Sequence, residues 1–331
     1  MKQITNTEIA AVVIGRNEGE RLVTCLESLL NSLSTIVYVD SGSSDNSLSA
    51  AQALGVEIIS LDMSIPFTAA RARNEGAEYL FNKYSHLKYI QFVDGDCEIQ
   101  QNWLEKAVGF LASNSKYAIV CGRRRERHPE QSIFNQLCDI EWDTLIGDAQ
   151  ACGGDALIRL TAFQQVAGYN DKLIAGEEPE MCFRMRALDW KIRRIDAEMT
   201  LHDAAMTKVS QWWNRAKRAG YAYAEGYYLH GKSAERFKRK QVFSICVWAA
   251  LLPAMIVIAA VFHCVFLAVF VIYLVQIVRL TIKNRSNVDQ LSHAFYYAMS
   301  NVFGKFPQFF GMMRFALNKW QGRRGTLIEY K

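Results

Sequence analysis

The stretch Phe92-Val93-Asp94-Gly95-Asp96 ends an apolar, strand-like run on two carboxylates one residue apart, with a glycine between them that lets the chain turn sharply. Paired hard oxygen ligands of this kind suit Mg²⁺ or Mn²⁺, an octahedral ion that keeps several waters and commonly bridges to a diphosphate. Calcium loops and ordinary turns also produce a DxD, although a calcium loop needs more carboxylates at alternate positions than this chain offers. What the pair means depends on the elements that lead to it.

Upstream, strand-like and helix-like patterns alternate. Ile9–Ile14 is an apolar run short enough for a buried strand. Asn17-Glu18 then offers a cap and an acidic first turn to a helix whose Leu22, Cys25, Leu26, Leu29, Leu30 and Leu33 form one stripe. Ile36–Val39 follows, then the turn-rich Asp40-Ser41-Gly42-Ser43-Ser44-Asp45 and a helix that stops at Gly55. Val56–Ser60, a helix around Ala69–Phe81 and Tyr89–Val93 complete three β-α-β crossings. The fold class this predicts is α/β, a doubly wound, mainly parallel sheet with helices on both faces. In such sheets ligands bind beyond the carboxyl ends of the strands. Standing there are Arg16, Asn17 and Glu18 after the first strand, Asp40 and Asp45 after the second, and Asp94 and Asp96 after the fourth. These residue types are turn formers in any protein, but here three polar loops converge on one edge.

The familiar nucleotide signatures do not account for that edge. No GxGxxG follows the first strand, which argues against a dinucleotide. Gly226-Tyr227-Tyr228-Leu229-His230-Gly231-Lys232-Ser233 matches a phosphate-loop string but follows a helix-like stretch and carries two tyrosines, so its context excludes that role.

Five segments in order, Ala11-Val12-Val13-Ile14-Gly15-Arg16-Asn17-Glu18, Val39 to Asp45, Ala70-Arg71-Ala72-Arg73-Asn74-Glu75-Gly76, Phe92 to Asp96 and Gly176-Glu177-Glu178-Pro179-Glu180, resemble family 2 glycosyltransferases of the GT-A fold. The resemblance covers residues 9 to about 225. It implies a Rossmann-like sheet and an inverting transferase of the membrane-anchored bacterial type, with a nucleotide-sugar donor, foremost a UDP-sugar, and Mg²⁺ or Mn²⁺. By position it implies that Asp40 contacts the nucleotide base, that Arg71 and Asn74 line the base and phosphate pocket beside the Arg16–Glu18 loop, and that Asp94 lies by the ribose. Asp96, with Asp94 and His202, is implied to hold the metal.

Transfer to a hydroxyl needs a base, since an alcohol attacks far faster when its proton is removed in the transition state. The family's acidic motif places that base at its second acidic position, usually Asp and here Glu178, with Glu177 in reserve; by pattern alone the three glutamates also suit the solvated first turn of a helix. Cys152-Gly153-Gly154-Asp155 resembles the loop near the acceptor, where Gly153, Gly154 and Asp155 are expected. Gln211-Trp212-Trp213-Asn214-Arg215, continuing to Arg218, resembles the QxxRW region but one residue out of register, so strict processivity is not expected. Arg215 or Arg218 would neutralise the leaving diphosphate and Trp212 or Trp213 would stack on a sugar; a basic helix on a membrane explains the same residues.

From Val242 to Val278 there is no Asp, Glu, Lys or Arg, although the mean hydropathy of −0.02 looks like that of a soluble protein. One helix of that length would be about 55 Å long against a hydrocarbon core of about 30 Å, so two spans turning near Ala259–His263 are predicted, with Pro253 as a kink. Arg236, Lys238, Arg239 and Lys240 precede the run and Arg279, Lys283 and Arg285 follow it, which puts both ends on the cytoplasmic side of an inner membrane. The predicted organisation is a cytosolic transferase domain at 1–240, a transmembrane hairpin at 241–285 and an interfacial tail at 286–331 bearing Lys305, Arg314, Lys319, Arg323 and Arg324. A third span between Phe295 and Leu317 is left open. The net charge of +5 is too small to imply nucleic acid, and the partners expected are the donor, a lipid-linked or saccharide acceptor and the membrane. Eight singly spaced cysteines give no disulfide or zinc framework, and Ile9–Ile14 is too short for a signal peptide. The competing readings are a catalytically silent scaffold of the same fold, which would be expected to have lost the carboxylates, and a nucleotidyltransferase, which would be expected to carry a basic glycine-rich loop near its start.

Overall fold

The computed structural model describes residues 6–288, 290–323, 325, 326 and 328; Arg324 and the ends of the chain lie outside them. Four parallel strands carry the first half of the sheet: β1 (Ile9–Gly15), β2 (Ile36–Asp40), β3 (Glu57–Ser60) and β4 (Tyr89–Asp94). Between them run α1 (Glu20–Leu30), α2 (Ser47–Ala53) and α3 (Ala69–Lys83). β1 and β2 are wholly apolar up to their last residue because both faces are covered, and α1 buries the stripe Leu22, Cys25, Leu26 and Leu29. Register then fixes the site's edge. Gly15 stands opposite Asp40 and Ile14 opposite Asp94, so the polar loops leave the sheet side by side.

The second half is mixed. Its elements are β5 (Cys97–Ile99), α4 (Trp103–Ser113), β6 (Tyr117–Glu126), α5 (Ile133–Trp142), β7 (Gly147–Asp148), β8 (Ala156–Arg159), α6 (Leu160–Gln165), α7 (Glu177–Arg186) and β9 (Lys191–His202). The sheet order is β3-β2-β1-β4-β8-β6-β9-β5, with β7 also on β9. β8 enters antiparallel between β4 and β6, and β5 and β7 pair antiparallel with β9. The parallel pattern ends there, where short strands pair with partners distant in the chain and run antiparallel to them. In the core between sheet and α4, Trp103 Nε1 donates to Gln91 Oε1 at 2.9 Å, which satisfies the amide of a fully buried strand residue.

The chain divides into two compact units: residues up to Arg127 with Trp142–Ala204, and His128–Glu141 with residues from Ala205 onward. The sheet belongs to the first. The second holds α8 (Val209–His230), α9 (Arg239–Cys246), α10 (Leu252–Phe262), α11 (Val271–Asn284), α12 (Leu291–Phe303) and α13 (Lys305–Trp320). α8 thus groups with the C-terminal helices, inside the stretch 1–240 read as one domain. The phosphate-loop string occupies the end of α8 and the turn after it, without the strand such a loop requires.

Arg239–Phe262 and Cys264–Asn284, 24 and 21 residues, are long and apolar enough to cross a membrane, and they meet at His263 in extended backbone. The stretch from Phe295 to Leu317 does not make a third such helix, because it is split into α12 and α13 at Gly304. A π turn at Val247–Leu251 precedes Pro253. In that turn the Leu252 N–H bonds Val247 O; the next donor in series would be Pro253, which has no N–H, and Trp248 O instead accepts from Tyr273 Oη at 2.5 Å.

Candidate active site

The turn at Gly95 ends β4 with Asp94 half-buried, and Asp96 leads into β5. Because β5 pairs antiparallel with β9, Cys97 lies opposite His202, and this pairing carries a histidine from the far end of the unit to the second aspartate. His202 Nε2 stands 3.4 Å from Asp96 Oδ2, and both side chains are buried. On its other side His202 Nδ1 has no hydrogen-bond partner among the described residues, and Glu126 Oε2 lies 3.9 Å away. The Trp142 ring packs edge-on against the imidazole at 4.6 Å. A carboxylate and an imidazole nitrogen, both buried and facing each other, are a fitting donor pair for a divalent cation, and a carboxylate behind the second ring nitrogen is the usual support of a ligating histidine.

Asp94 is held from two directions. Arg73 Nη2 donates to its Oδ1 at 2.6 Å, and Arg124 Nη2 stands 3.6 Å from Oδ2. Burial alone would raise the Asp94 carboxyl, but the two guanidinium groups overcome it and hold it well below the usual carboxylate range. Arg73 also donates to Glu177 Oε1 at 2.9 Å, and Arg124 Nη2 forms an ion pair with Asp155 Oδ2 at 2.6 Å. Asp155 is fully buried, accepts from the Asp94 N–H and from Thr200 Oγ1, and so sits under the loop as a brace. On that loop, a Cβ at Gly154 would lie 2.7 Å from Asp94 Oδ2, so only glycine lets the backbone pass so close to the carboxylate.

The three glutamates of the acidic motif open α7 but are not a solvated first turn. Glu180 is buried and takes a bidentate contact from Arg184, Glu177 is bound to Arg73, and Glu178 is buried. Glu178 Oε1 accepts from the Cys152 N–H at 2.6 Å, from Cys152 Sγ at 3.0 Å and from Cys182 Sγ at 2.9 Å. Burial raises both thiols, Cys182 to about 11, so they stand protonated as donors to the carboxylate.

At the β1–β2 end of the edge, Asp40 is buried and accepts from Tyr38 Oη and from the N–H groups of Gly42 and Ser43, so its carboxylate shapes its own turn. Asn17, at φ 57, locks that turn to the first loop by accepting from Ser44 N–H at 2.7 Å. Arg16 lies over the Phe67 ring at 4.8 Å, and Glu18 pairs with Arg21. Arg71 donates to the carbonyls of Asp62 and Ile65, and Asn74 fastens the Tyr169 backbone with two 2.8 Å bonds. Arg71 and Asn74 therefore support loops around the edge.

The remaining expected residues belong to the second unit. Arg215 pairs with Glu141 at 2.7 Å, Trp212 Nε1 donates to Ser300 Oγ, and Trp213 packs against Phe310; Arg218 lies further along the same helix. Arg73, Arg124, Glu126, Cys152 and Cys182 were not among the expected site residues. Arg73 and Cys152 had a local signal, standing inside the Ala70–Gly76 and Cys152–Asp155 segments.

Residues 11–155 match the family model for glycosyl transferase family 2. Glycosyltransferase AglE of Haloferax volcanii is 20% identical over 256 residues, covering 72% of this chain and 79% of AglE. Among solved structures, the mannosyltransferase PcManGT of Pyrobaculum calidifontis, determined with GDP-Man and Mn²⁺, has a TM-score of 0.56 at 17% identity and covers 89% of this chain and 87% of its own. TarS of S. aureus, residues 1–349, gives 0.51 at 12% identity, over 96% of this chain and 92% of its own. Both share the fold.

Proposed function

Starting from a chain that is a glycosyltransferase with a family 2 domain on the GT-A fold, we propose that it inverts the anomeric centre of a nucleotide-diphosphate sugar while transferring the sugar to a hydroxyl of a lipid-linked or saccharide acceptor. The observation that carries this reading is the meeting of Asp96 and His202 through the β5–β9 register, beside Asp94 at the carboxyl edge of the sheet. Asp96 and His202 would hold Mg²⁺ or Mn²⁺, and the imidazole favours Mn²⁺ of the two. When bound, such an ion neutralises the diphosphate and makes it a better leaving group. Asp94, kept ionised by Arg73 and Arg124, offers an acceptor to a sugar or ribose hydroxyl. Glu178 takes the proton of the attacking hydroxyl, its position set by the Cys152 N–H and the two thiols. Gly153 and Gly154 leave room for the acceptor above Asp155. The hairpin anchors the enzyme in a cytoplasmic membrane with the catalytic unit on the cytosolic side, where a lipid-linked acceptor presents its sugar.

The test is a panel of UDP- and GDP-sugars with purified protein, Mn²⁺ or Mg²⁺ and a membrane lipid extract. Asp96→Ala and Glu178→Ala are each expected to lower transfer by about a hundredfold or more. Transfer that survives both would overturn the mechanism. Metal-dependent nucleotide binding without turnover of any donor would point to a silent scaffold.

A further inference from the structure

We infer that Cys152, Cys182 and Glu178 form a binding site for a soft divalent cation of the zinc class, separate from the harder Asp96–His202 pair. The two cysteines lie far apart in sequence and in no metal-binding spacing, but the loop before β8 and the middle of α7 bring their sulfurs to 3.8 Å. Two thiolates on a tetrahedral zinc, at Zn–S about 2.3 Å, are separated by about 3.8 Å. The structure already has that separation. A disulfide needs about 2.05 Å, so the same sulfurs are much further from a covalent bond than from a shared ion.

The third donor is Glu178 Oε1, 3.0 and 2.9 Å from the two sulfurs. Around a tetrahedral zinc an oxygen and a sulfur stand about 3.5 Å apart, so the carboxylate has to swing out by about half an ångström. Binding replaces the two thiol protons, which pass to solvent, and no electron moves. Cys182 and Glu178 are buried and Cys152 is only partly exposed, so the ion would enter past Cys152, and three protein ligands leave a fourth position for water. Ligand chemistry separates the two centres. Two sulfurs select zinc or cadmium, while the other centre offers the oxygen of Asp96, the nitrogen of His202 and a single thiol, Cys97, and suits manganese better.

The functional consequence, which rests on Glu178 being the base, is inhibition: a cation that takes the carboxylate leaves nothing to accept the acceptor's proton. Cadmium reports the site directly, because thiolate-to-cadmium charge transfer absorbs in the near ultraviolet. The full chain in detergent, reduced with a phosphine, is titrated with Cd²⁺. One equivalent is expected to produce the band, Zn²⁺ to displace it, Cys152→Ser and Cys182→Ser each to lose it, and Cys97→Ser and Asp96→Ala to keep it. Persistence of the band in the double serine variant would overturn the site. Should that variant not fold, as read by circular dichroism, ¹¹³Cd resonance of the wild-type protein decides: a sulfur-ligated shift supports the site and a purely oxygen- and nitrogen-ligated shift refutes it. Zinc that binds there yet leaves transfer intact supports the site and refutes the base assignment instead.

Discussion

Arg73 joins the two carboxylates that matter most at the edge of the sheet, Asp94 at 2.6 Å and Glu177 at 2.9 Å, while its guanidinium lies over the Tyr169 ring at 5.4 Å. It is nearly fully buried, so removing it leaves two carboxylates without their counter-charge inside the protein. Arg73→Met is expected to cost about 3–5 kcal/mol, the range for breaking a buried pair from one side. Arg73→Lys should recover only part, because one ammonium does not reproduce a planar fork serving two partners. Thermal unfolding of the three proteins checks the order wild type, lysine, methionine; equal stability of methionine and wild type would refute it. The same residue marks the limit of what sequence tells. Asp94 and Asp96 are legible because adjacent residues fix a turn at a strand end. Arg73 is not, since an arginine on α3 beside Arg71 and Glu75 reads as helix surface, and its partners stand 21 and 104 residues away. His202 was reachable only through the family resemblance, because what brings it to Asp96 is a strand register.

At the scale of elements, the seam between α8 and α13 turns on two glycines. A Cβ on Gly220 would lie 1.9 Å from Gln308 O, and one on Gly311 would lie 1.9 Å from Lys217 O, so the helices touch backbone to backbone. Intrinsic propensity favours Ala over Gly in a helix by about 1 kcal/mol, whereas overpacking a tight contact costs about 1–3 kcal/mol. Packing should win. Gly220→Ala is expected to lower the unfolding midpoint, and a rise would show that the seam is looser than this. Glu225 on the same helix gives a pH signature: burial raises its carboxyl from 4.5 to about 7 against the opposing pull of Lys319, and its Oε2 has no hydrogen-bond partner among the described residues. Between these values the folded chain keeps a proton that the unfolded chain has released, so stability should fall as pH rises from about 4.5 to about 7 and then level off. Glu225→Gln removes that slope; an unchanged midpoint profile in the variant would refute the assignment. The parallel half of the sheet could be read from periodicity, since long apolar runs and one-sided helices carry their own signal. The short strands β5, β7 and β8 could not, because two to four residues hold too little pattern and their direction is set by partners distant in the chain.

For the whole molecule, charge and apolar length together argue one orientation. The basic residues Arg236, Lys238, Arg239 and Lys240 stand before the first span, and Arg279, Lys283 and Arg285 at the end of the second. The turn at His263 carries no charged residue within the spans on either side of it until those clusters are reached. A hairpin that keeps both clusters on the anionic, cytosolic leaflet puts its turn at the opposite surface. The chain supplies its own reporter. Cys264, next to the turn, is exposed, whereas Cys25, Cys97, Cys121, Cys138 and Cys182 are buried and Cys152 and Cys246 only partly exposed. A membrane-impermeant maleimide added outside intact cells is therefore expected to label the wild-type protein and to miss Cys264→Ser. If the hairpin instead lay along the cytosolic surface, or ran the other way, labelling would appear only after the membrane is opened. The distinction bears on the chemistry, because a nucleotide-sugar donor is a charged molecule that does not cross the bilayer, and the proposed orientation puts the catalytic unit on the donor's side.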